Sequence, residues 1–176
     1  MHEEPPSSAL ADLLARQALL ELVCLYSRLV DRREFEGLRA LYHPAAIHDH
    51  GGLFCGGIDA FVPWLQQSPP GMLTHHFVGN ALFSIEGDSA TGEIYTINYH
   101  VFDATDEPGR DYVAGGRYLD RYCREQGRWM FSHRQRILDW SHERAAAPAA
   151  TGAGITRGAH GAADPSHGLL GRLLRD

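Results

Sequence analysis

At Leu73 the apolar residues of this chain stop recurring at helical spacing and begin to alternate, and the alternation runs on to Trp140. Four segments carry it. Thr74 to Ile85 is the first, and Gly87-Asp88 turns it. Glu93 to Phe102 follows, dense in strand formers (Ile94, Tyr95, Thr96, Ile97, Tyr99, Val101). Tyr112 to Cys123 comes after a loop, and Glu125-Gln126-Gly127 turns it into Trp129 to Trp140. Strands joined by such short turns pair as an antiparallel meander, and its apolar face needs a cover.

The preceding residues supply that cover. Ser7-Ser8 reads as a helix N-cap, after which Leu10, Leu13, Leu14, Ala18, Leu22, Leu25 and Leu29 recur at helical spacing up to Asp31-Arg32-Arg33. A short second helix spans roughly Phe35 to Tyr42, and Pro44 stops it. Ala46 to His50 reads as a short strand and Ile58 to Gln67 as a third helix, with the Ser68-Pro69-Pro70-Gly71 loop behind it. Helices followed by one curved, mostly antiparallel sheet make an α+β fold, a cone-shaped barrel enclosing one pocket.

A length of 176 residues fits one such domain. Residues 9–144 are expected to form it, after a disordered segment 1–8. Residues 145–168 are nearly all Ala, Gly, Pro, Thr and His. They bury too little apolar surface to offset their ordering entropy, so 145–176 is expected to be a flexible tail, with a small helix near Gly168 to Leu174. Truncation after Arg144 should then leave the melt nearly unchanged. The net charge of −6 repels a phosphate backbone and argues against a nucleic-acid partner. Cys24, Cys55 and Cys123 form no disulfide framework and no thiolate zinc signature. The sequence has neither an apolar leader nor a stretch of ~20 apolar residues, so a cytoplasmic chain without membrane contact is expected.

The polar residues are less ordinary. His48 and His50 lie two apart in a strand and so face one way, a spacing able to bind metal with His75, His76, His100 or His133. No HExxH and no cysteine pairing accompanies them, so no metal is expected, and the His48-Asp49-His50 stretch should sit near the rim or be hydrogen-bonded without an ion. Thr74, His76, Val78, Asn80 and Leu82 share one face of their strand, and Ile94, Thr96, Asn98, His100 and Phe102 one face of the next. A histidine and an asparagine amid apolar neighbours need a partner or a ligand, and backbone carbonyls in the core would also serve. Asp31 stands at a helix C-terminus, where the dipole opposes it, either pairing with Arg32 or Arg33 or serving another purpose.

The order of elements resembles the nuclear-transport-factor-2-like cone fold in its SnoaL-like branch. The phrases that carry the likeness are Leu25-Tyr26-Ser27 with Asp31, Thr74-His75-His76-Phe77-Val78-Gly79-Asn80, Gly115-Gly116-Arg117-Tyr118, and Gly127-Arg128-Trp129-Met130-Phe131-Ser132-His133-Arg134. They cover residues 9 to 142. Among cofactor-free lyases of this fold, scytalone dehydratase matches at Asp31, His76 and His100, with Val30 where it has a tyrosine. Hexachlorocyclohexane dehydrochlorinase matches at Asp31, His76 and Arg134, with Tyr26 where it has a lysine. Bile-acid 7α-dehydratase has counterparts at Tyr26, Asp31, His76 and Arg134.

The resemblance implies a lyase without cofactor that eliminates water, or another small group such as formaldehyde or halide, from a hydrophobic aromatic or polycyclic molecule. Asp31 and His76 would act as a base dyad, Tyr26 as a hydrogen-bond donor, and His100 and Arg134 as stabilisers of negative charge. Asn80, Asn98, Phe102, Tyr118, Phe131 and Trp140 would line the pocket. A ketosteroid-isomerase-like or polyketide-cyclase-like proton shuttle, or a non-catalytic binding module, uses the same fold. The family also implies a homo-oligomer, a trimer in many of these lyases.

Overall fold

The computed structural model describes residues 8–102, 109–145 and 154–170. Helix α1, Ser8–Asp31, buries Ala15, Leu19, Leu22, Val23, Tyr26 and Val30 on one stripe, while Leu10, Leu13 and Leu14 remain exposed. It ends in a Schellman motif: Glu34 N–H donates to the Leu29 carbonyl at 2.9 Å and Arg33 N–H to that of Val30 at 3.0 Å, with Arg33 left-handed at φ 56°. The following helical segment, Phe35–Leu41, is a 3₁₀ helix.

Strand β1 covers Tyr42–Asp49, starting earlier than Ala46. It tolerates Pro44 because its pairing is interrupted between Tyr42 and Ile47, where the missing N–H is not needed. Then come β2 (Cys55–Gly57), α2 (Ile58–Gln66), β3 (Leu73–Glu86), β4 (Ser89–Phe102), β5 (Arg110–Glu125) and β6 (Arg128–Ala145). The sheet order is β2-β1-β6-β5-β4-β3. All neighbours are antiparallel except β1 and β6, which run parallel with Ile47 opposite His133. The curved sheet stays open, with β2 and β3 as its edges, so the cone is not a closed barrel. Gln126 and Gly127, both at positive φ (52° and 80°), make the two-residue β5–β6 turn.

The helices cover the concave face, and the core there includes Leu19, Val23, Leu38, Phe61, Val62, Ile94 and Phe131, all fully buried. A bulge between Val78 and Ala81 changes which β3 residues look inward. Thr74, His76 and Val78 do so before it, and Ala81, Phe83 and Ile85 after it; Asn80 and Leu82 are exposed. A second irregularity sets Gly115 opposite Trp140 and Gly116 opposite Leu138, leaving Asp139 as the extra residue of β6.

Residues 154–170, expected within a flexible tail, lie against the end of α1. Gly161 N–H donates to the Arg32 carbonyl at 2.7 Å, the Arg32 guanidinium pairs with Asp164 at 3.2 Å, and Arg28 reaches Ser166 Oγ at 3.3 Å. The Asp164 carboxylate in turn accepts from the N–H groups of Ala159 and Ser166, each at 2.9 Å. Composition counted apolar area, whereas this attachment is polar. Residues 1–7 and most of the expected terminal helix lie outside the described residues. Among the described residues the three cysteines are unpaired, and no helix is long and apolar enough to cross a membrane.

Candidate active site

The last turn of α1 runs over the start of β3 and puts Asp31 against it. Asp31 is 7% exposed. Its Oδ1 accepts from His76 Nδ1 at 2.6 Å and from the Thr74 hydroxyl at 2.8 Å, and its Oδ2 accepts from the His76 backbone N–H at 2.9 Å. Burial by itself would raise this carboxyl, but the bonds and charge interaction from His76, helped by Thr74, outweigh it and hold the group below its usual range. Thr74 and His76 point the same way because they are two apart on a strand. Asp31 makes no salt bridge to Arg32 or Arg33: Arg32 pairs with Asp164, and Arg33 donates to the carbonyls of Ser68 and Pro69.

This carboxylate–imidazole pair opens on a cavity of about 190 Å³. Tyr26 and Val30 of α1 line it, with His50 just after β1, Trp64 and Leu65 of α2, Thr74 and His76 of β3, His100 of β4 and Tyr118 of β5. The His76 and His100 rings meet edge to face, centroids 5.9 Å apart. Burial and the neighbouring His76 bring His100 down to about 4. Burial also pushes the Tyr26 hydroxyl far up, with the nearby Tyr118 adding to it, so Tyr26 stays protonated and able to donate.

The structure thus brings Tyr26, Asp31, His76, His100 and Tyr118 together, Asp31 just behind the lining. The other candidates sit elsewhere. Arg134 is fully buried behind the cavity wall, not in it. Its guanidinium lies 3.8 Å from the Tyr118 ring centroid, 4.1 Å from that of Tyr26 and 4.4 Å from that of Phe131, and its Nε is 3.4 Å from Asp120. Burial drives the Asp120 carboxyl up to about 6 against the pull of Arg134 and the Tyr122 hydroxyl. Phe131 belongs to the core. Asn98 is buried on the inner face of β4 with its carbonyl oxygen unpartnered among the described residues, but outside the lining. Phe102 packs under Arg110, guanidinium to ring 4.5 Å. Asn80 is turned outward by the bulge, and Trp140 is 47% exposed, its ring lying across Gly115.

Sequence reasoning missed Thr74 as a partner of Asp31, although the shared face with His76 was the signal. It placed His48 and His50 near the rim or in hydrogen bonds without an ion, and did not connect them to Tyr42. His48 is fully buried, its ring on Phe61 at 3.7 Å between centroids, with Nδ1 2.8 Å from the Tyr42 hydroxyl and Nε2 2.9 Å from His50 Nδ1. Burial pushes His48 well down, and burial with Arg136 nearby brings His50 to about 4. Among the described residues no three His, Cys, Asp or Glu side chains are grouped as metal ligands.

The architecture has solved relatives. A hexachlorocyclohexane dehydrochlorinase, LinA type 2, superposes with a TM-score of 0.71 at 20% identity over 82% of this chain and all of the other. A candidate scytalone dehydratase from Novosphingobium aromaticivorans gives 0.67 at 23% identity over 80% of this chain and 97% of that one. By sequence, an uncharacterized Mycobacterium tuberculosis protein is 30% identical over 99 residues, 53% of this chain, and the match spans 66% of that relative's length. Residues 11–135 match the SnoaL-like domain. With most of its length matched, the chain belongs to the SnoaL-like family, on the nuclear-transport-factor-2-like cone fold.

Proposed function

We propose that this chain is a cofactor-independent lyase in which His76 removes a proton from carbon and a neighbouring group leaves. One observation carries the reading: His76 Nδ1 is 2.6 Å from a carboxylate, which can only accept. The proton therefore sits on Nδ1, and Nε2 presents a lone pair to the cavity. Asp31 fixes that tautomer and stabilises the imidazolium once the proton has moved, a combination worth ~10²–10⁴ in rate for a general base.

The step balances within the site. The C–H proton goes to Nε2, its electron pair forms the double bond, and the leaving group departs with the other pair. Where that group is hydroxide, it takes the proton from the imidazolium, and water and neutral His76 result. Tyr26 and His100 face the same space and stabilise negative charge there. Arg134 contributes from behind Tyr118 and Tyr26, through its charge and by holding both rings. A cavity of about 190 Å³ suits a substrate of about one ring, since larger drug-sized ligands occupy ~300–1,000 Å³. The exposed Phe77, Tyr95, Tyr99 and Trp140 on the outer face of the sheet support a homo-oligomer, with a trimer as the reading carried from the family. The unpaired thiols agree with a cytoplasmic setting.

The test is incubation in D₂O with scytalone, hexachlorocyclohexane and single-ring β-hydroxyketones, followed by mass spectrometry and halide detection. Loss of water or halide from one of them, abolished in His76→Ala, is the expected result. Deuterium uptake without elimination would point to an isomerase or cyclase instead. Neither elimination nor exchange with a substrate that demonstrably binds would leave a ligand-binding module.

A further inference from the structure

A second hydrogen-bonded chain reaches the cavity from the other end of the sheet. It starts at the Tyr42 hydroxyl, passes through both nitrogens of His48 and ends on Nδ1 of His50, with links of 2.8 and 2.9 Å. His50 lines the same cavity as His76, and among the described residues no group takes its Nε2.

The direction of this chain can be worked out. A neutral imidazole has one donor nitrogen and one acceptor, so the links must all run the same way. Run from His50 outward, the chain would end with His48 donating to Tyr42, and the buried Tyr42 proton would need another acceptor. Among the described residues the other hydrogen-bonding group at the hydroxyl is the Arg134 guanidinium, which can only donate and so offers that proton no acceptor. Asp120 does not reach it; one of its oxygens accepts from Tyr122 and the other lies against Arg134. A buried O–H without an acceptor is strongly disfavoured. The chain therefore runs inward: Tyr42 O–H donates to His48 Nδ1, His48 Nε2–H donates to His50 Nδ1, and His50 Nε2–H points at the substrate.

We infer that His50 is the hydrogen-bond donor to the atom that gains negative charge during elimination, and that Tyr42 and His48 are positioning residues that fix its tautomer. The inference rests on the lyase reading for its chemistry. The cavity is then polarised, with a lone pair offered by His76 on one wall and an N–H offered by His50 on another. His50 keeps its proton throughout. The burial that pushes the Tyr42 hydroxyl far up prevents it from resupplying one, and the departing group is protonated from His76.

The tautomers can be read without a substrate. Long-range ¹H–¹⁵N correlation spectra of the full chain at pH 7, assigned with His48→Gln and His50→Gln, should show His48 and His50 protonated at Nε2 and His76 at Nδ1. Tyr42→Phe should leave His76 as it is and give mixed tautomers at His48 and His50. A His50 ring protonated at Nδ1, or charged, overturns the inference, and so does a Tyr42→Phe protein with unchanged tautomers at both rings. On whichever substrate is eliminated, His50→Phe should lower kcat by ~10²–10³ with little change in KM. Elimination that survives His50→Phe leaves the lyase reading standing and removes His50 from it. Correct tautomers in a protein that eliminates nothing would remove the lyase reading and with it the role of His50 in elimination, leaving the Tyr42–His48–His50 chain as the device that aims a donor at a bound ligand.

Discussion

The ring and the backbone of His76 are tied to the same carboxylate: Nδ1 lies 2.6 Å from Asp31 Oδ1, and the amide N lies 2.9 Å from Oδ2. The double attachment sets the tautomer and fixes where the ring stands, since the strand carrying it is held by the same group. It also accounts for an acid at a helix C-terminus, where the dipole disfavours it. Three donors from β3 compensate.

His76→Ala should fold, because the ring lines a cavity and little packing is lost. On an eliminated substrate its turnover should fall by at least ~10². Asp31→Asn should lose a comparable factor, and the double variant little more than either single one, because the two act as a unit. Losses that multiply would assign two independent roles.

Thr74→Val removes one of the three donors to Asp31 while keeping the shape of the side chain. The carboxyl should titrate higher than in the parent, and stability should drop by ~1 kcal/mol. Carboxyl ¹³C titration and urea unfolding check both. An unchanged carboxyl titration would mean that Thr74 does not hold the carboxylate.

The two adjacent glycines of β5 should respond differently to a methyl group. A Cβ on Gly115 would fall 2.1 Å from the Trp140 ring, which is half exposed and can swing away. A Cβ on Gly116 would fall 2.1 Å from the Ile137 carbonyl, part of the paired backbone. Gly115→Ala should therefore cost under ~1 kcal/mol and shift tryptophan fluorescence, whereas Gly116→Ala should cost ~2–3 kcal/mol or more. Equal melting points for the two variants would contradict the placement of Trp140.

Stability should fall on mild acidification. His50 and His100 titrate at about 4 in the fold against ~6.5 unfolded, so the unfolded chain takes up protons first as pH drops below ~6.5. Each withdraws on the order of 3 kcal/mol by pH 4, less where solvent reaches the ring, and the deeply buried His48 acts in the same direction. Asp120, raised to about 6, works oppositely between ~4 and 6 and offsets about one histidine. Asp31, held low, adds a further loss only below ~4. Urea midpoints at pH 7.5, 5.5 and 4.5 should decline in that order, and a flat series would mean that these rings are not buried neutral.

Truncation after Ala145 should lower the melting temperature measurably, because it frees Arg32 and uncovers its carbonyl at the end of α1. Asp164→Ala in the full chain should reproduce part of that loss. No change in either variant would show that the tail adds nothing to the stability of the domain.

Alternation made the meander legible, and helical spacing made α1 and α2 legible, because those signals repeat along the chain. Single-residue events were not. The bulge after Val78 turned Asn80 outward against strict alternation, and an inserted residue set Trp140 across Gly115, outside the cavity. Arg134 could be matched by position, but its burial behind Tyr118 depends on partners from α1 and β5. The His48–His50 spacing was visible, while the Tyr42 hydroxyl that completes the chain lies six residues earlier in a segment read as helix. The attachment of residues 154–170 was hidden because a few polar bonds leave no trace in composition.

The parallel pairing of β1 with β6 fixes when the cavity can exist. Strands β3 and β4 join through a two-residue turn, as do β5 and β6, and both hairpins can zip up locally. Strand β1, by contrast, must wait for the last strand of the chain, with Ile47 meeting His133 across most of the domain. Contacts so distant in sequence carry the larger loop-closure entropy and form late. His50 sits at the end of β1, so its wall of the cavity is built after the wall bearing His76. In a nascent chain the wall bearing Asp31 and His76 is in place before the wall bearing His50, and the cavity is not complete until β6 has left the ribosome.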